Sequence, residues 1–366
     1  MMKNTKTRRK NYMKKVLGTL LAASLILSMG ACSSKPKETQ APAETKAEAA
    51  KEKKEETAEE KKGEEKEEKQ EASEKKKVKI GVSNCADTDT FTKMVADYLE
   101  QLIAENQPDW EASFVGAEMD SSIQLSQIES FISQGCDYIV MSSSDTNGCV
   151  PCVEACQAAG IPLIDFVNPI AAPEEDFVYV GGSNVNCGRQ MAEWACTVLP
   201  ENGNVVIMEG QAGGANSLDR IQGIKEVFAE KRPDVTILAS KTANWEREEG
   251  MALMEDWLQA YGDKINVVLA LNDNMALGAV EAIKARDMLG KIHVCGVDGT
   301  KDAMEYIKEG SLDVSMFYNY VKQATNTYNV LVDMVESEAD THEDVYSDFE
   351  EVNKDNVQEY LDKYYS

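Results

Sequence analysis

The stretch from residue 267 to residue 300 constrains the fold most strongly, because it shows a strand, a polar tip, a helix and a second strand in succession. Residues 267–271 form an almost wholly apolar run, which is typical of a parallel strand buried on both faces. Asn272 interrupts this run, apolar residues at helical spacing follow, and a second apolar run, 292–297, ends at Asp298. Ligands of open α/β sheets bind outside the carboxyl ends of the strands, so Asn272 and Asp298 are candidate contacts for a small polar molecule.

Strands and helices alternate in the same way along the rest of the chain from residue 78. The predicted strands are 78–83, one containing 114–115, 137–141, 161–167, 177–180, 204–208, 235–239, 267–271, 292–297 and 311–315. The predicted helices are 91–106, 121–134, 150–159, 186–198, 218–231, 246–259, 275–283, 322–335 and 358–365. The alternation comes in two successive sets of about five strands, which predicts an α/β fold of two doubly wound parallel-sheet lobes with a ligand cleft between them.

The N-terminal region has the pattern of a secretion signal. Several Lys and Arg residues precede an apolar run at 16–29, which has roughly the length of a signal peptide and is short for a membrane span. The end of this run resembles the lipobox of bacterial lipoproteins, in residues Ser28, Met29, Gly30, Ala31 and Cys32. We therefore predict a signal peptide over 1–31 and a lipid-modified Cys32. An ordinary signal peptide followed by an incidental cysteine is the alternative.

Residues 32–77 consist mainly of Lys, Glu and Ala and contain hardly any apolar side chain. Such a segment buries too little surface to offset the entropy of folding, so we predict a disordered tether after the lipidated cysteine. The protein is then expected outside the cytoplasm, anchored by lipid to the outer face of the bacterial cell membrane or located in the periplasm.

The formal net charge of −26 carries information about partners. The acidic excess lies from residue 78 onward, and such a surface repels nucleic acid and anionic lipid. We therefore expect no nucleic-acid partner and no membrane contact except through the lipid anchor. The negative surface would suit a basic partner, such as the loops of a permease, and solubility alone explains it equally well.

The sequence pattern allows two roles for the cysteines, as free thiols or as partners in disulfides. Eight cysteines follow the tether, and an even number in an exported protein suggests disulfides. Cys149, Cys152 and Cys156, however, share one helix face, where cysteine packs as a small hydrophobic residue. We predict free thiols, with at least one disulfide as the alternative.

Metal and catalytic sites are not expected. The chain has only two histidines, and no second Cys-x-x-Cys accompanies the one at Cys149, so a metal site lacks ligands. No nucleophile–base pair or phosphate-binding loop is present in the sequence, which argues against an enzyme and against a cofactor.

Eight short motifs occur in order from residue 80 to residue 299. They are 80–82 followed by Phe91, 134–137, 159–162, 179–181, 220–223, 244–247, 272–279 and 296–299. Together they resemble the periplasmic sugar-binding proteins of the ribose and galactose type, which are the type I solute receptors of ABC importers. The resemblance covers nearly all of the chain from residue 78, and the Asn-Trp pair at Trp245 is most similar to the galactose-binding members.

The resemblance implies a three-crossover hinge between the lobes. The N-terminal lobe would comprise 78–182 plus 319–345, and the C-terminal lobe would comprise 183–318 plus 346–366. Hinge closure on a ligand is a general property of periplasmic binding proteins. The resemblance also implies a monomeric receptor that captures a monosaccharide, either galactose/glucose-like or ribose-like. The receptor would deliver this sugar to the transmembrane subunits of an ABC permease.

Two alternatives keep this fold. In one, the protein is a ligand sensor for a membrane kinase or a chemoreceptor. In the other, the ligand is a polyol, a nucleoside or an autoinducer.

A sugar presents hydroxyl groups around an apolar ring face, so its receptor needs planar polar groups and aromatic plates. Arg220 offers a rigid fork of donors. Phe91 and Trp245 resemble the family's stacking pair. The full predicted ligand-binding set is Asp89, Phe91, Ser142, Asn168, Asn216, Arg220, Trp245, Asn272, Asp298 and Tyr318. A structural role is the alternative for several: helix caps for Asn272 and Asp298, and plain core for Phe91.

Overall fold

The computed structural model describes residues 77–366. The predicted signal peptide at 1–31 and the lipidated Cys32 lie outside the described residues, as does the tether except for Lys77. Within the described part of the chain, no helix is both long and apolar enough to cross a membrane.

The first of two six-stranded sheets is built mainly from the N-terminal half of the described chain. Its strands are β1 (Lys79–Asn84), β2 (Glu111–Gly116), β3 (Tyr138–Met141), β4 (Leu163–Phe166), β5 (Val178–Gly182) and β11 (Val345–Ser347). Their order is β11-β5-β4-β3-β1-β2, and all pairs are parallel. The carboxyl ends of all six strands therefore lie at one edge of the sheet.

The second sheet repeats this arrangement. Its strands are β6 (Asn204–Glu209), β7 (Thr236–Thr242), β8 (Val267–Ala270), β9 (His293–Asp298), β10 (Val314–Phe317) and β12 (Glu350–Asn353). The order is β12-β10-β9-β8-β6-β7, and only the β10–β12 pair is antiparallel. The prediction of two doubly wound lobes with parallel-sheet cores is confirmed.

Residues 77–366 contain ten α-helices, of which nine connect strands and the last follows β12. They are α1 (Thr90–Asn106), α2 (Ser121–Ser133), α3 (Val150–Ala159), α4 (Asn184–Val198), α5 (Ala215–Lys231), α6 (Arg247–Tyr261), α7 (Asp273–Ala285), α8 (Lys301–Glu309), α9 (Tyr320–Ser337) and α10 (Val357–Tyr364). Side-chain caps begin several of them: the Asp120 carboxylate accepts from the amides of Ser122 and Ile123. Other helices end at a glycine in the left-handed conformation. Gly160, with φ 70°, ends α3 in this way.

Three elements were not predicted from the sequence, and one strand lies at later residues than predicted. Strands β11 and β12 were not predicted, because they are only 3 and 4 residues long and show little periodicity. Helix α8 was also not predicted, although its buried residues Ala303, Met304 and Ile307 have helical spacing. The strand predicted at 311–315 lies at Val314–Phe317. Residues 311 and 312 instead turn back onto α8, where their amides donate to the carbonyl of Tyr306.

The third crossing between the sheets lies later than predicted. The predicted boundary at residue 346 falls inside β11, since Tyr346 pairs with Gly181 and Ser347 with Gly182 in the first sheet. The chain then reaches β12 of the second sheet at Glu350. The crossing is therefore at residues 348–349, which places Phe349 between the lobes.

Close helix packing in the second lobe depends on glycine. A Cβ atom on Gly188 of α4 would lie 1.9 Å from the carbonyl oxygen of Arg220 on α5. A Cβ atom on Gly223 of α5 would lie 2.1 Å from the carbonyl oxygen of Val185 on α4. Both neighbours are backbone atoms, so the two helices approach too closely for any side chain at these positions. This contact sets the position of α5, which carries Arg220.

Replacement of Gly223 by alanine should separate α4 from α5. We expect the Gly223→Ala variant to lose about 1–3 kcal/mol of unfolding free energy, as in other overpacked interiors, although alanine favours the helix. Lys225→Ala, at an exposed position of the same helix, is the control and should change the unfolding free energy little. Urea denaturation followed by circular dichroism would measure both. Equal stability of Gly223→Ala and the parent protein would contradict the packing described.

Candidate functional site

The candidate site is a cleft between the two lobes, formed where the carboxyl ends of both sheets meet. The cavity that remains in it has a volume of about 30 Å³. The residues that line it are Met119, Ser143, Ser144, Asp145, Thr146, Asn168, Pro169, Gln211, Gly214, Ala215, Asn216 and Trp245. Nearly all of them belong to loops or first helical turns that follow strands, as expected for doubly wound sheets.

The lobes contact each other through side chains across this cleft. The amide of Ala215 donates to the hydroxyl of Thr146 at 3.0 Å, and Asn216 Nδ2 donates to Asn168 Oδ1 at 2.8 Å. Deeper in, the rings of Phe91 and Tyr318 stack with centroids 4.7 Å apart. The described conformation is therefore closed around the cleft.

Arg220 is the buried centre of the second lobe's contribution. Arg220 is only 4% exposed to solvent. Its Nε donates to Asn184 Oδ1 at 3.0 Å, and its Nη1 donates to the carbonyl of Leu271 at the end of β8. The guanidinium also lies over the rings of Trp245 and Phe349, at 5.9 and 5.6 Å from their centroids. These contacts hold the fork in one orientation.

Asp298 is a partly buried carboxyl group near Arg220. Burial raises the pKa of Asp298 well above its ordinary value, and the neighbouring charge of Asp273 raises it further. The guanidinium of Arg220 acts in the opposite direction, and Asp89 on the first lobe adds repulsion. The raised pKa favours the protonated form of Asp298, whose carboxyl group can then donate a hydrogen bond.

Backbone strain is concentrated around this site. Val167, Asn244, Trp245 and Asp298 all have positive φ, at 67°, 50°, 68° and 107°. Non-glycine residues pay for such conformations, and they cluster at ligand clamps because the surrounding structure over-determines them. Trp245 also needs the absence of a side chain at Gly210, since a Cβ atom there would lie 1.9 Å from the indole.

Two predicted contacts serve as helix caps. Asp89 begins α1, and its Oδ1 accepts from the amide and hydroxyl of Thr92 at 2.8 and 2.7 Å. Asn272 begins α7, where its Oδ1 accepts from the amide of Met275 at 2.9 Å. The Asn272 amide group also donates to the carbonyl of Trp245 at 3.0 Å, which fixes the loop that carries the indole.

The predicted residues separate into two groups by depth. Asn168, Asn216 and Trp245 line the cleft directly. The other seven are not among the residues that line it, and they are Asp89, Phe91, Ser142, Arg220, Asn272, Asp298 and Tyr318. Tyr318 is buried, and its hydroxyl donates to Gln323 Oε1 at 2.8 Å rather than facing an open space. Their roles as ligand contacts stay predictions.

Several cleft residues were missed by sequence reasoning. Asp145 was interpreted as a turn residue, and its Oδ1 does accept from the amide of Asn147 at 3.0 Å, yet it also lines the cleft. Met119 and Gln211 follow β2 and β6, and a search of all strand ends would have included them. Phe349 could not be found in this way, because it depends on where the third crossing lies.

The pH dependence of stability should report on the buried Asp273 beneath the site. Its carboxylate accepts from the amide of Thr300 and the hydroxyl of Ser315, each at 2.7 Å. Burial nevertheless raises the pKa of Asp273 to about 7, from an ordinary 3.8. The stability that this raised pKa contributes is fully present below pH 3.8 and is lost as the pH rises through about 7.

Asp273→Asn removes this titration. We expect its unfolding free energy to fall less between pH 5 and pH 8 than that of the parent protein, as measured by urea denaturation at both pH values. Asp302→Asn, at an exposed position on α8, should keep the parental pH dependence. An unchanged slope in Asp273→Asn would mean that this carboxyl group does not titrate in that range.

The chain is similar to known proteins over most of the residues that form the two lobes. The family model described as periplasmic binding protein domain matches residues 80–339. The chain is 33% identical to the xylitol-binding protein of Mycolicibacterium smegmatis, over 66% of this chain and 68% of that protein. It is 28% identical to the ribose import binding protein of Bacillus subtilis, over 83% of this chain and 88% of that protein.

A solved structure is similar at the level of the whole fold. It is an ABC transporter solute-binding protein from Bacillus halodurans with bound myo-inositol, and its TM-score with this chain is 0.74. The two sequences are 34% identical, and the match covers 79% of this chain and 98% of the other.

Proposed function

Because the chain belongs to the periplasmic binding protein domain family, we propose that it is an extracytoplasmic receptor that captures a monosaccharide and delivers it to an ABC permease. The family consists of substrate-binding proteins and implies a location outside the cytoplasm. The expected partners are the transmembrane subunits of the permease, and the receptor acts as a monomer.

The observation that carries this proposal is the composition of the cleft. Asn168 and Asn216 bring amide groups from opposite lobes to within 2.8 Å of each other, and Trp245 supplies an aromatic face beside them. Amide and guanidinium groups pair with hydroxyls, and an indole packs on the apolar face of a sugar ring. The hydroxyl groups of a neutral polyhydroxylated molecule could replace the bond between these amides with bonds of their own, which an apolar ligand could not do.

Closure of the lobes supplies the binding mechanism. The inter-lobe bonds at Thr146 and Asn216 form only when the lobes meet, so a ligand that bridges both lobes shifts the population towards the closed state. Closure also removes water from the polar contacts and thereby strengthens them. The ligand-binding set predicted from the sequence is the proposed site, and its members Asn168, Asn216 and Trp245 line the closed cleft.

A polyol or a cyclitol is the second candidate ligand. The xylitol-binding protein and the solved structure with bound myo-inositol are 33% and 34% identical to this chain. Both compounds resemble a monosaccharide in presenting several hydroxyl groups without a charge. The cleft groups named here would bind either class, so the distinction requires measurement.

A thermal-shift screen would identify the ligand class. The panel contains D-ribose, D-galactose, D-glucose, xylitol and myo-inositol, with citrate as a charged control. A ligand at 100 times its dissociation constant should add about 2.7 kcal/mol to the unfolding free energy. We expect one neutral compound to raise the melting temperature and citrate to have no effect. Failure of every polyhydroxylated compound would contradict the proposed function.

Arg220 tests the assignment of the site. Arg220→Ala should weaken binding of the compound found in the screen by about 1.5–3 kcal/mol, since it removes charge-assisted hydrogen bonds. Arg220→Lys keeps the charge but loses the fork, so a loss is expected there as well. Arg189→Ala, which removes only exposed ion pairs to Glu226 and Glu230, is the control.

Isothermal titration calorimetry would compare these variants after circular dichroism has shown that each folds cooperatively. Parental affinity in both Arg220 variants would remove this residue from the proposed site.

Membrane anchoring through Cys32 belongs to the same proposal. If Cys32 carries the lipid, Cys32→Ala should no longer incorporate radiolabelled palmitate in cells and should move from the membrane fraction to the released fraction. Cys85→Ala is the control, because that thiol is buried in the folded domain and should leave labelling unchanged. Labelled, membrane-bound Cys32→Ala protein would contradict the lipid anchor.

A further inference from the structure

Three asparagine side chains link the buried guanidinium of the second lobe to the first lobe through consecutive hydrogen bonds. Arg220 Nε donates to Asn184 Oδ1 at 3.0 Å, and Asn184 Nδ2 donates to Asn216 Oδ1 at 2.7 Å. Asn216 Nδ2 donates to Asn168 Oδ1 at 2.8 Å, and Asn168 Nδ2 donates to the carbonyl of Ser143 at 3.1 Å. We call Asn184, Asn216 and Asn168 the amide row.

The two ends of the amide row fix the direction of every bond in it. A guanidinium only donates, so the atom of Asn184 that faces Arg220 must be its oxygen. A backbone carbonyl only accepts, so the atom of Asn168 that faces Ser143 must be its nitrogen. Asn216 lies between them, and turning its amide over would oppose oxygen to oxygen on one side and nitrogen to nitrogen on the other. Each amino group of the row therefore points towards the first lobe.

Asn184 lies at the first crossing between the lobes. It is buried and is the first residue of α4, two positions after β5 ends at Gly182. Its Nδ2 also donates to the carbonyl of Gly182 at 3.4 Å. Asn184 is not among the residues that line the cleft, whereas Asn216 and Asn168 are. Its bond to Asn216 thus orients a cleft residue from outside the cleft lining.

The bond between Asn216 and Asn168 crosses from one lobe to the other. At 2.8 Å it leaves no room between its two atoms, so a molecule that bridges the lobes at this point takes its place. A group inserted there meets an N–H donor from Asn216 and a carbonyl acceptor from Asn168. A hydroxyl group accepts one hydrogen bond and donates another, so it satisfies both sides. A carboxylate only accepts and an ammonium only donates, so each leaves one amide group unpaired.

We propose that Asn184 is a positioning residue that sets the direction of the amide row, and that this direction selects a ligand hydroxyl which accepts from Asn216 and donates to Asn168. The inference rests on the proposed function, since it assigns a specificity to the same cleft. It adds that a residue outside the cleft lining determines which functional group is bound.

The first test uses the parental protein and the neutral compounds of the thermal-shift panel, namely D-ribose, D-galactose, D-glucose, xylitol and myo-inositol. Calorimetry compares each compound that binds with derivatives in which one hydroxyl group is replaced by hydrogen, by fluorine or by an amino group. We expect one position at which all three replacements weaken binding about tenfold or more, because hydrogen offers neither function, fluorine only accepts and ammonium only donates.

Two outcomes of this series are unfavourable, and they differ. If a compound binds but every position keeps parental affinity with at least one of the replacements, the inference about the amide row is overturned while the proposed function stands. If none of the panel compounds binds, the proposed function is contradicted and the inference falls with it.

Asn184→Asp tests the positioning role. The aspartate keeps an acceptor for Arg220 but loses the donor to Asn216, so the Asn216 amide should turn and present its oxygen to the cleft. A group between Asn216 and Asn168 then meets two acceptors, which suits an ammonium. We expect the amino derivative at the sensitive position to bind Asn184→Asp about tenfold or more tightly than it binds the parental protein, and the hydroxyl compound to bind the variant more weakly.

Asn147→Asp is the matched control. It adds the same negative charge at an exposed position next to the cleft residue Thr146 but outside the amide row, so it should keep the parental preference for the hydroxyl compound. Circular dichroism would first show that both variants fold. An unchanged preference in folded Asn184→Asp, or an equal gain for the amino derivative in Asn147→Asp, would overturn the positioning role. The derivative series needs no substitution, so a misfolded variant does not prevent a decision.

Discussion

The structure of the cleft depends on the contacts that the buried guanidinium of Arg220 makes. A buried charge is unfavourable unless hydrogen bonds and opposite charge surround it. Asn184 on α4 and the carbonyl of Leu271 supply the hydrogen bonds. Trp245 lies against the guanidinium, as does a ring from the third crossing. Because these groups come from separate connections, satisfying one cation requires all the connections to adopt one arrangement.

The same arrangement explains the strained backbone around the cleft. Val167, Trp245 and Asp298 hold positive φ values that isolated segments of their sequence would avoid. The rest of the fold must supply the energy for this strain. It does so through well-packed elements such as the glycine contact of α4 and α5 and the buried strand β8. The loops can then be specialised for recognition, because the sheets and helices provide a rigid support.

Much of the fold could be predicted because the signals are local. Buried parallel strands such as β8 require continuous apolar runs, and amphipathic helices such as α9 require a repeating apolar face. Strands β11 and β12 could not be predicted in this way, because 3 and 4 residues show no period. Their pairing with β5 and β10 depends on residues more than 30 positions away, and this pairing decides where the third crossing lies.

The sequence by itself determined the two doubly wound lobes and the set of polar residues that follow the strands, since both depend on periodicity and on chain order. Only the tertiary structure decided which of these residues meet. Asn168 and Asn216 are brought together from opposite lobes, while Asp89 and Asn272 are engaged in helix caps. Such contacts join distant segments, and their geometry follows from packing of the whole chain rather than from any local pattern.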